Sequence, residues 1–304
     1  MLEVNNLYCG RAEELLEQVV SESIDLSFWS PPYFVGKSYE KDLTYYEWKE
    51  MLRTVIQKHE RVLKPGCFLA INIADIICFA DDNLPKIQAE KLGGNRLSVN
   101  KEDILKVLGE NPEWNRYQIA KFFNVSEQTI DRRLKNNNIR GGKYKPQTRI
   151  NLVGSMLTDY AYESGLYLYD QRIWAKDPAW ENSKWHANSY RAVDEFEHIF
   201  IFWKPGITKI NREKLTKEEW SGWGSRGVWN IPSVRSNDDH EAKFPLELPK
   251  RMIKLLTEPG NVILDCFMGS GTTAIAAIKE NRKYIGIEKE DKYVEMSRKN
   301  LSRI

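Results

Sequence analysis

The sequence is short of the residues that staple small folds or bind metals. Only four cysteines occur among 304 residues, Cys9, Cys67, Cys78 and Cys266, and none forms a C-x-x-C pair. That scatter excludes a disulfide scaffold or a zinc knuckle and reads as a protein of the reducing cytoplasm. The four histidines, His59, His186, His198 and His240, show no metal-ligand spacing, so no metal is expected. Long apolar runs are also missing. The most apolar stretch, Cys67 to Ala80, is interrupted by Asn72 and Asp75 and is too short to span a membrane. Glu3, Asn5 and Asn6 follow Met1 at once, unlike a secretory leader. Excess charge of one sign is absent as well. With a net charge of +2, a hold on a polyanion must come from a local patch rather than from a whole-molecule field.

What remains is ordinary globular composition, 41% hydrophobic and 29% charged, in a length that allows two compact units or one unit with an insertion. Periodicity divides the chain into residues 1–93, 94–149 and 150–304. In the first segment, residues 11–20 read as an amphipathic helix and Ile24 to Trp29 as a buried strand. Tyr45 to Val62 reads as a long helix stopped at Lys64-Pro65-Gly66, and Cys67 to Ile73 as a strand. The last segment returns to this alternation. Its expected strands are Tyr167 to Trp174, Glu197 to Trp203, Asn261 to Asp265 and Tyr284 to Glu288; its expected helices are Phe244 to Thr257 and Thr272 to Glu280. Helix alternating with strand predicts a parallel sheet covered on both faces. Seven of the ten tryptophans fall between Trp174 and Trp229, which reads first as packed core. The middle segment predicts three short helices, Lys101 to Leu108, Arg116 to Phe123 and Glu127 to Lys135. It carries twelve basic and six acidic residues, leaving the rest of the chain net negative.

Two motifs carry chemistry. Asn261-Val-Ile-Leu-Asp265-Cys-Phe-Met-Gly269-Ser-Gly271-Thr272-Thr273 is a strand, a glycine turn and a helix start. The glycines let a backbone approach a ligand, and the helix N-terminus presents free N–H groups. The next strand ends at Glu288, 19 residues after Gly269, where an acid can take ribose hydroxyls. Ala274 excludes G-x-G-x-x-G, and no G-K-[ST] follows, so S-adenosylmethionine is favoured over NAD or ATP. The second motif, Ser30-Pro31-Pro32-Tyr33, follows the strand Ile24–Trp29 and therefore lies at a carboxyl edge, where open α/β sheets bind ligands. Ser30 and the proline carbonyls can accept from an exocyclic amino group while Tyr33 stacks on its ring. Either motif alone could be a simple turn.

Together, Ser30-Pro-Pro-Tyr33 placed early and Phe267-Met-Gly269-Ser-Gly271 placed late resemble the amino-group DNA methyltransferases of the permuted beta class. Val62 to Leu69, Arg172 to Lys176, Phe202-Trp-Lys204 and His240 to Pro245 extend the resemblance. It implies a Rossmann-like α/β fold, with a catalytic half in residues 1–93 and a cofactor-binding half in 150–304. It implies Ser30, Pro31, Pro32 and Tyr33 as catalytic residues. The implied S-adenosylmethionine site comprises Phe244, Pro245, Asp265, Phe267, Gly269, Ser270, Gly271, Thr272, Thr273 and Glu288. Ser at the first catalytic position is commoner in enzymes acting on cytosine N4, with adenine N6 the alternative. No cysteine follows a proline, so the sequence does not suit cytosine-C5 chemistry. Two positions depart from the family: Arg11 stands where Asp usually contacts the cofactor adenine, and Cys266 replaces a proline.

The third departure is the insertion 94–149, a small all-α segment. Tyr117 to Leu134 resembles a helix-turn-helix, with Ile119, Ala120, Phe123, Val125, Ile130 and Leu134 as core and Asn124 at a turn usually held by Gly. Glu127, Gln128, Asp131 and Arg132 would form its exposed face, with Arg133 beside them. Arg140, Lys143 and Lys145 would meet phosphates. Expected partners are double-stranded DNA and a restriction endonuclease acting on the same site. Rival readings are a dimerisation or packing bundle for the insertion, a non-catalytic DNA-binding regulator for the whole, and a NAD-dependent oxidoreductase.

Overall fold

The computed structural model describes residues 1–34, 43–79, 99–135, 149–178, 192–234 and 244–304. The chain divides into two compact units, one of residues 1–79, 149–180 and 193–304, the other of 80–148 and 181–192. The second unit thus begins before the expected boundary at residue 94 and takes in a further short segment.

The larger unit is built on an eight-stranded sheet. Its strands are β1 (Asn6–Cys9), β2 (Ile24–Trp29), β3 (Leu63–Ile73), β6 (Tyr167–Ala175), β7 (Phe196–Trp203), β8 (Val228–Asn230), β9 (Val262–Asp265) and β10 (Lys283–Glu288). The order is β1-β10-β9-β2-β3-β7-β6-β8, and every pairing is parallel except the two made by β7. A separate ribbon pairs β4 (Ile76–Phe79) with β5 (Arg149–Asn151), antiparallel. Helices cover both faces. On one side α2 (Tyr45–Val62) and α6 (Val153–Glu163) bury Trp48, Leu52, Ile56 and Leu157 with Trp29, Leu69 and Ile71 of the sheet. On the other, α8 (Glu247–Leu256) and α9 (Thr272–Lys279) bury Leu248, Met252 and Ala274 with Leu26, Phe28 and Ala70. Alternate residues of β3 feed opposite cores, as the period of two requires. No helix among the described residues is long and apolar enough to cross a membrane.

Local chemistry explains most element boundaries. α2 starts at Thr44, whose hydroxyl caps Glu47 N–H while the Glu47 carboxylate returns to Thr44 N–H. It ends at Val62 as expected, but the strand runs straight on through Lys64-Pro65-Gly66. Asp25, an acid inside apolar β2, accepts from Lys64 Nζ at 2.7 Å and from Val262 N–H at 2.8 Å, tying β2 to both neighbours. The helix expected over 11–20 is broken into α1 (Ala12–Leu15) and a 3-10 turn, Leu16–Gln18. Arg61 donates to the carbonyls of Leu16 and Val19, which draws the chain out of the helix and leaves Val19 extended. β1, α6, the single turn α7 (Lys217–Glu219), β8 and the last helix, α10 (Asp291–Leu301), had no clear sequence signal.

In the smaller unit the described residues form α3 (Lys101–Glu110), α4 (Arg116–Phe122) and α5 (Glu127–Leu134), within a residue or two of expectation. Val99, Ile104, Ile119, Ala120 and Ile130 are buried together, with Phe123, Val125 and Leu134 against them. Asn124 lies in the left-handed region at φ 51°, and Ser126 caps α5.

Candidate active site

β2 and β9 are adjacent and parallel, so the turns that follow them leave the same edge of the sheet. Ser30-Pro31-Pro32-Tyr33 and the turn Cys266 to Ser270 thereby face one cleft of about 950 Å³. Ser30, Pro31, Pro32, Tyr33, Phe244, Phe267, Gly269, Ser270, Thr272 and Glu288 all lie on its wall, as does Arg11.

The remaining expected residues are not on that wall. Asp265 is fully buried; its carboxylate accepts from Phe267 N–H at 2.9 Å and from the Thr273 hydroxyl at 2.6 Å, so both residues brace the glycine turn from within. Burial pushes the Asp265 carboxyl up to about 7 against these two bonds. Gly271 is also set back. At φ 88° it is left-handed, and a Cβ there would meet Ser297 of α10 at 3.2 Å rather than anything in the cleft. Gly271 thus makes room for α10. Pro245 lies just ahead of α8, its carbonyl accepting from Leu248 N–H. Residues 240–243 lie outside the described residues.

Glu288 closes one end of the cleft. One oxygen accepts from Gly269 N–H at 2.8 Å and the other from Glu290 N–H at 2.9 Å. A carboxylate offers about four acceptor sites, so it retains capacity toward the cleft. Burial raises its pKa, opposed by those backbone donors. Arg11 pairs with Glu13 at 2.6 Å, and both line the cleft near Lys289 and Glu290.

At the other end Trp48 Nε1 donates to the Pro32 carbonyl at 2.7 Å, pinning the double-proline turn to α2. Behind the turn stands a polar cluster that sequence reasoning missed. Tyr33 Oη is 2.8 Å from Ser30 Oγ and donates to Glu197 Oε2 at 2.6 Å. Asn72 Nδ2 donates to Glu197 Oε2 at 2.7 Å and to Tyr33 Oη at 2.9 Å. Lys176 Nζ holds the other Glu197 oxygen at 2.8 Å and lies 3.6 Å from Asp194. Burial opposes the Lys176 charge, but Glu197 and Asp194 outweigh it and its pKa is raised. Asn72 and Glu197 are buried and both border the cleft. Their signal was present: each is a polar residue inside an apolar strand pattern, and such residues need buried partners.

In the smaller unit Arg132 and Arg133 lie half-buried on α5. Arg116 Nη1 reaches both oxygens of Asp131, at 2.6 and 2.9 Å, and ties α4 to α5. The Gln128 side chain, Arg140, Lys143 and Lys145 lie outside the described residues.

A doubly wound sheet with a glycine turn, a downstream acid and a proline-rich polar turn over one cleft defines the class of Rossmann-like methyltransferases. Comparison supplies the family. Residues 24–299 match the DNA methylase family of N6 and N4 amino-methyltransferases, and the chain belongs to it. The family's methyl donor is S-adenosylmethionine, and its substrate is DNA. The chain is 61% identical over 300 residues to the type II methyltransferase M.BglI of Bacillus subtilis, covering 99% of this chain and 86% of that protein. TTHA0409 of Thermus thermophilus, solved with S-adenosyl-L-methionine, superposes at a TM-score of 0.64 with 22% identity, covering 98% of this chain and 93% of the other. The cytosine-N4-specific PvuII DNA methyltransferase gives 0.62 with 20% identity, covering 98% and 86%.

Proposed function

We propose that this chain methylates the exocyclic N4 of cytosine at a specific site in double-stranded DNA, as the modification half of a restriction–modification pair. The observation that carries the reading is the convergence of Ser30-Pro-Pro-Tyr33 and the Phe267–Glu288 turn on one cleft at adjacent strand ends.

The cleft fits a nucleoside with an amino-acid tail. The carboxylate of Glu288 suits ribose hydroxyls, Phe244 and Phe267 supply apolar wall, and the glycine turn brings backbone N–H groups close. When bound, S-adenosylmethionine supplies an electrophilic methyl group. The residues of this chain do the rest. A base inside a duplex stack is out of reach, so the target must be flipped into the cleft. Tyr33 stacks on it, and Ser30 Oγ and the Pro31 carbonyl accept from its amino group, keeping the nitrogen lone pair aimed at the methyl. Holding that alignment is the main source of rate. Ser30 at the head of the motif favours cytosine; adenine N6 is the second reading. The type II name of the Bacillus subtilis relative supports a partner endonuclease.

The smaller unit is read as the DNA-binding module, Gln128, Arg132 and Arg133 toward bases and Arg140, Lys143 and Lys145 toward phosphates. A non-catalytic regulator would have no use for both motifs around one cleft.

The test is to methylate genomic DNA in vitro, digest it to nucleosides and identify the product by mass spectrometry. N4-methylcytosine is expected; N6-methyladenine alone would overturn the choice of base, and no methylated nucleoside would overturn the enzyme. Tyr33→Ala should abolish most transfer while leaving cofactor affinity near the parent's.

A further inference from the structure

Tyr33 Oη has one proton and two lone pairs, and of the two acceptors within its reach the Glu197 oxygen at 2.6 Å is far better placed than the Asn72 backbone carbonyl at 3.4 Å. The proton goes to the Glu197 carboxylate, which cannot donate, and one lone pair takes an Asn72 N–H. Turning the Asn72 amide over would set its oxygen against that carboxylate, so its orientation is fixed too. The second lone pair faces Ser30 Oγ at 2.8 Å, and the serine must therefore be the donor. Ser30 has a single proton, now spent inward. Its oxygen can only accept from whatever enters the cleft. A serine hydroxyl without this constraint would rotate and serve a carbonyl as readily as an amino group.

We infer that Glu197 is a positioning residue that, through Tyr33, locks Ser30 as an obligatory acceptor and so selects a base presenting an amino group over one presenting a carbonyl. Lys176 Nζ, 2.8 Å from the other Glu197 oxygen and itself held by Asp194, fixes the carboxylate in place. Asn72 Oδ1 is buried with no hydrogen-bond partner among the described residues. The inference rests on the reading that Ser30 meets the target amino group.

The experiment compares wild type with Glu197→Gln, Tyr33→Phe and the double variant. Each single variant should lower kcat by about 10- to 100-fold, the worth of a hydrogen bond to a charged group, while KM for DNA and cofactor stays within about threefold. The double variant should be no slower than the worse single one, because both break the same chain. Binding gives a readout without turnover. Once the methylated position is mapped, the preference of the protein for duplexes with the target amino base over its keto counterpart, uracil for cytosine or hypoxanthine for adenine, should narrow about tenfold in Glu197→Gln. Wild-type kcat in Glu197→Gln, additive losses, or an unchanged preference would overturn the inference. If Glu197→Gln does not fold, Tyr33→Phe decides alone, since it leaves the Glu197–Lys176 pair and the ring intact. A wild type that methylates no DNA would overturn the assigned reaction instead, and this inference with it.

Discussion

Gly269 and Gly271 are both left-handed, at φ 53° and 88°, yet they serve different neighbours. Gly269 donates its N–H to Glu288 and borders the cleft, while Gly271 lies under Ser297. The two should separate experimentally. Gly271→Ala should cost stability, about 1–2 kcal/mol for the forced left-handed residue, read as a lower urea midpoint. Glu288→Ala should instead weaken S-adenosylmethionine binding in calorimetry by about 1.5–3 kcal/mol, a charge-assisted hydrogen bond's worth. Equal cofactor affinity in Glu288→Ala and the parent would remove Glu288 from the site. The two motifs were legible because their chemistry is local: glycines, prolines and an acid at fixed spacing. Glu197 showed only as a polar residue in an apolar strand, because its role depends on Tyr33 164 positions away, brought to it by the sheet.

At the scale of elements, β2 and α2 agree with the sequence to the residue, since a buried apolar run and a capped amphipathic helix each announce their own ends. α1 did not, because Arg61 on α2 takes the carbonyls of Leu16 and Val19, where the helix would have continued. α10 escaped notice for a similar reason. Its polar side is functional packing: Ser297 donates to the Gly269 carbonyl and Asn300 to that of Ser270, steadying the glycine turn from behind. The ribbon of β4 and β5 pairs Phe79 with Arg149, so the chain leaves and returns at facing positions. Residues 80–148 should then be replaceable by a short glycine–serine turn. The shortened protein should bind S-adenosylmethionine with parent affinity in calorimetry but lose site-selective methylation. Methylation of the same site with the same efficiency would show that this segment does not read DNA.

For the molecule as a whole, two buried groups oppose each other in acid. His59 is pushed down to about 4 by burial, against a backbone bond from its ring to Val55. Its unfolded form protonates below about 6.5, so its contribution is present above that pH and is lost on descent toward 4. Asp265, pushed up to about 7, behaves in the opposite sense: its contribution is full below about 4 and is lost as pH rises through 7. In the shared window each contributes about 1.4 kcal/mol per pH unit, with opposite signs. Asp265→Asn should therefore gain on the parent in urea unfolding as pH rises from 4.5 to 7, and level off above. A difference independent of pH would mean that Asp265 is ionised in the folded protein throughout. The sheet order also governs how the protein is made. β1 pairs Asn6 with Ile285, and β2 pairs Ser27 with Leu264. During synthesis the Ser30–Tyr33 turn emerges early, but the strands that complete its sheet leave the ribosome some two hundred residues later. Until then one edge of β2 stands unpaired, an open template for aggregation. A chain stopped before Asn261 should therefore lack both the glycine turn and the strands that pair with β1 and with one edge of β2.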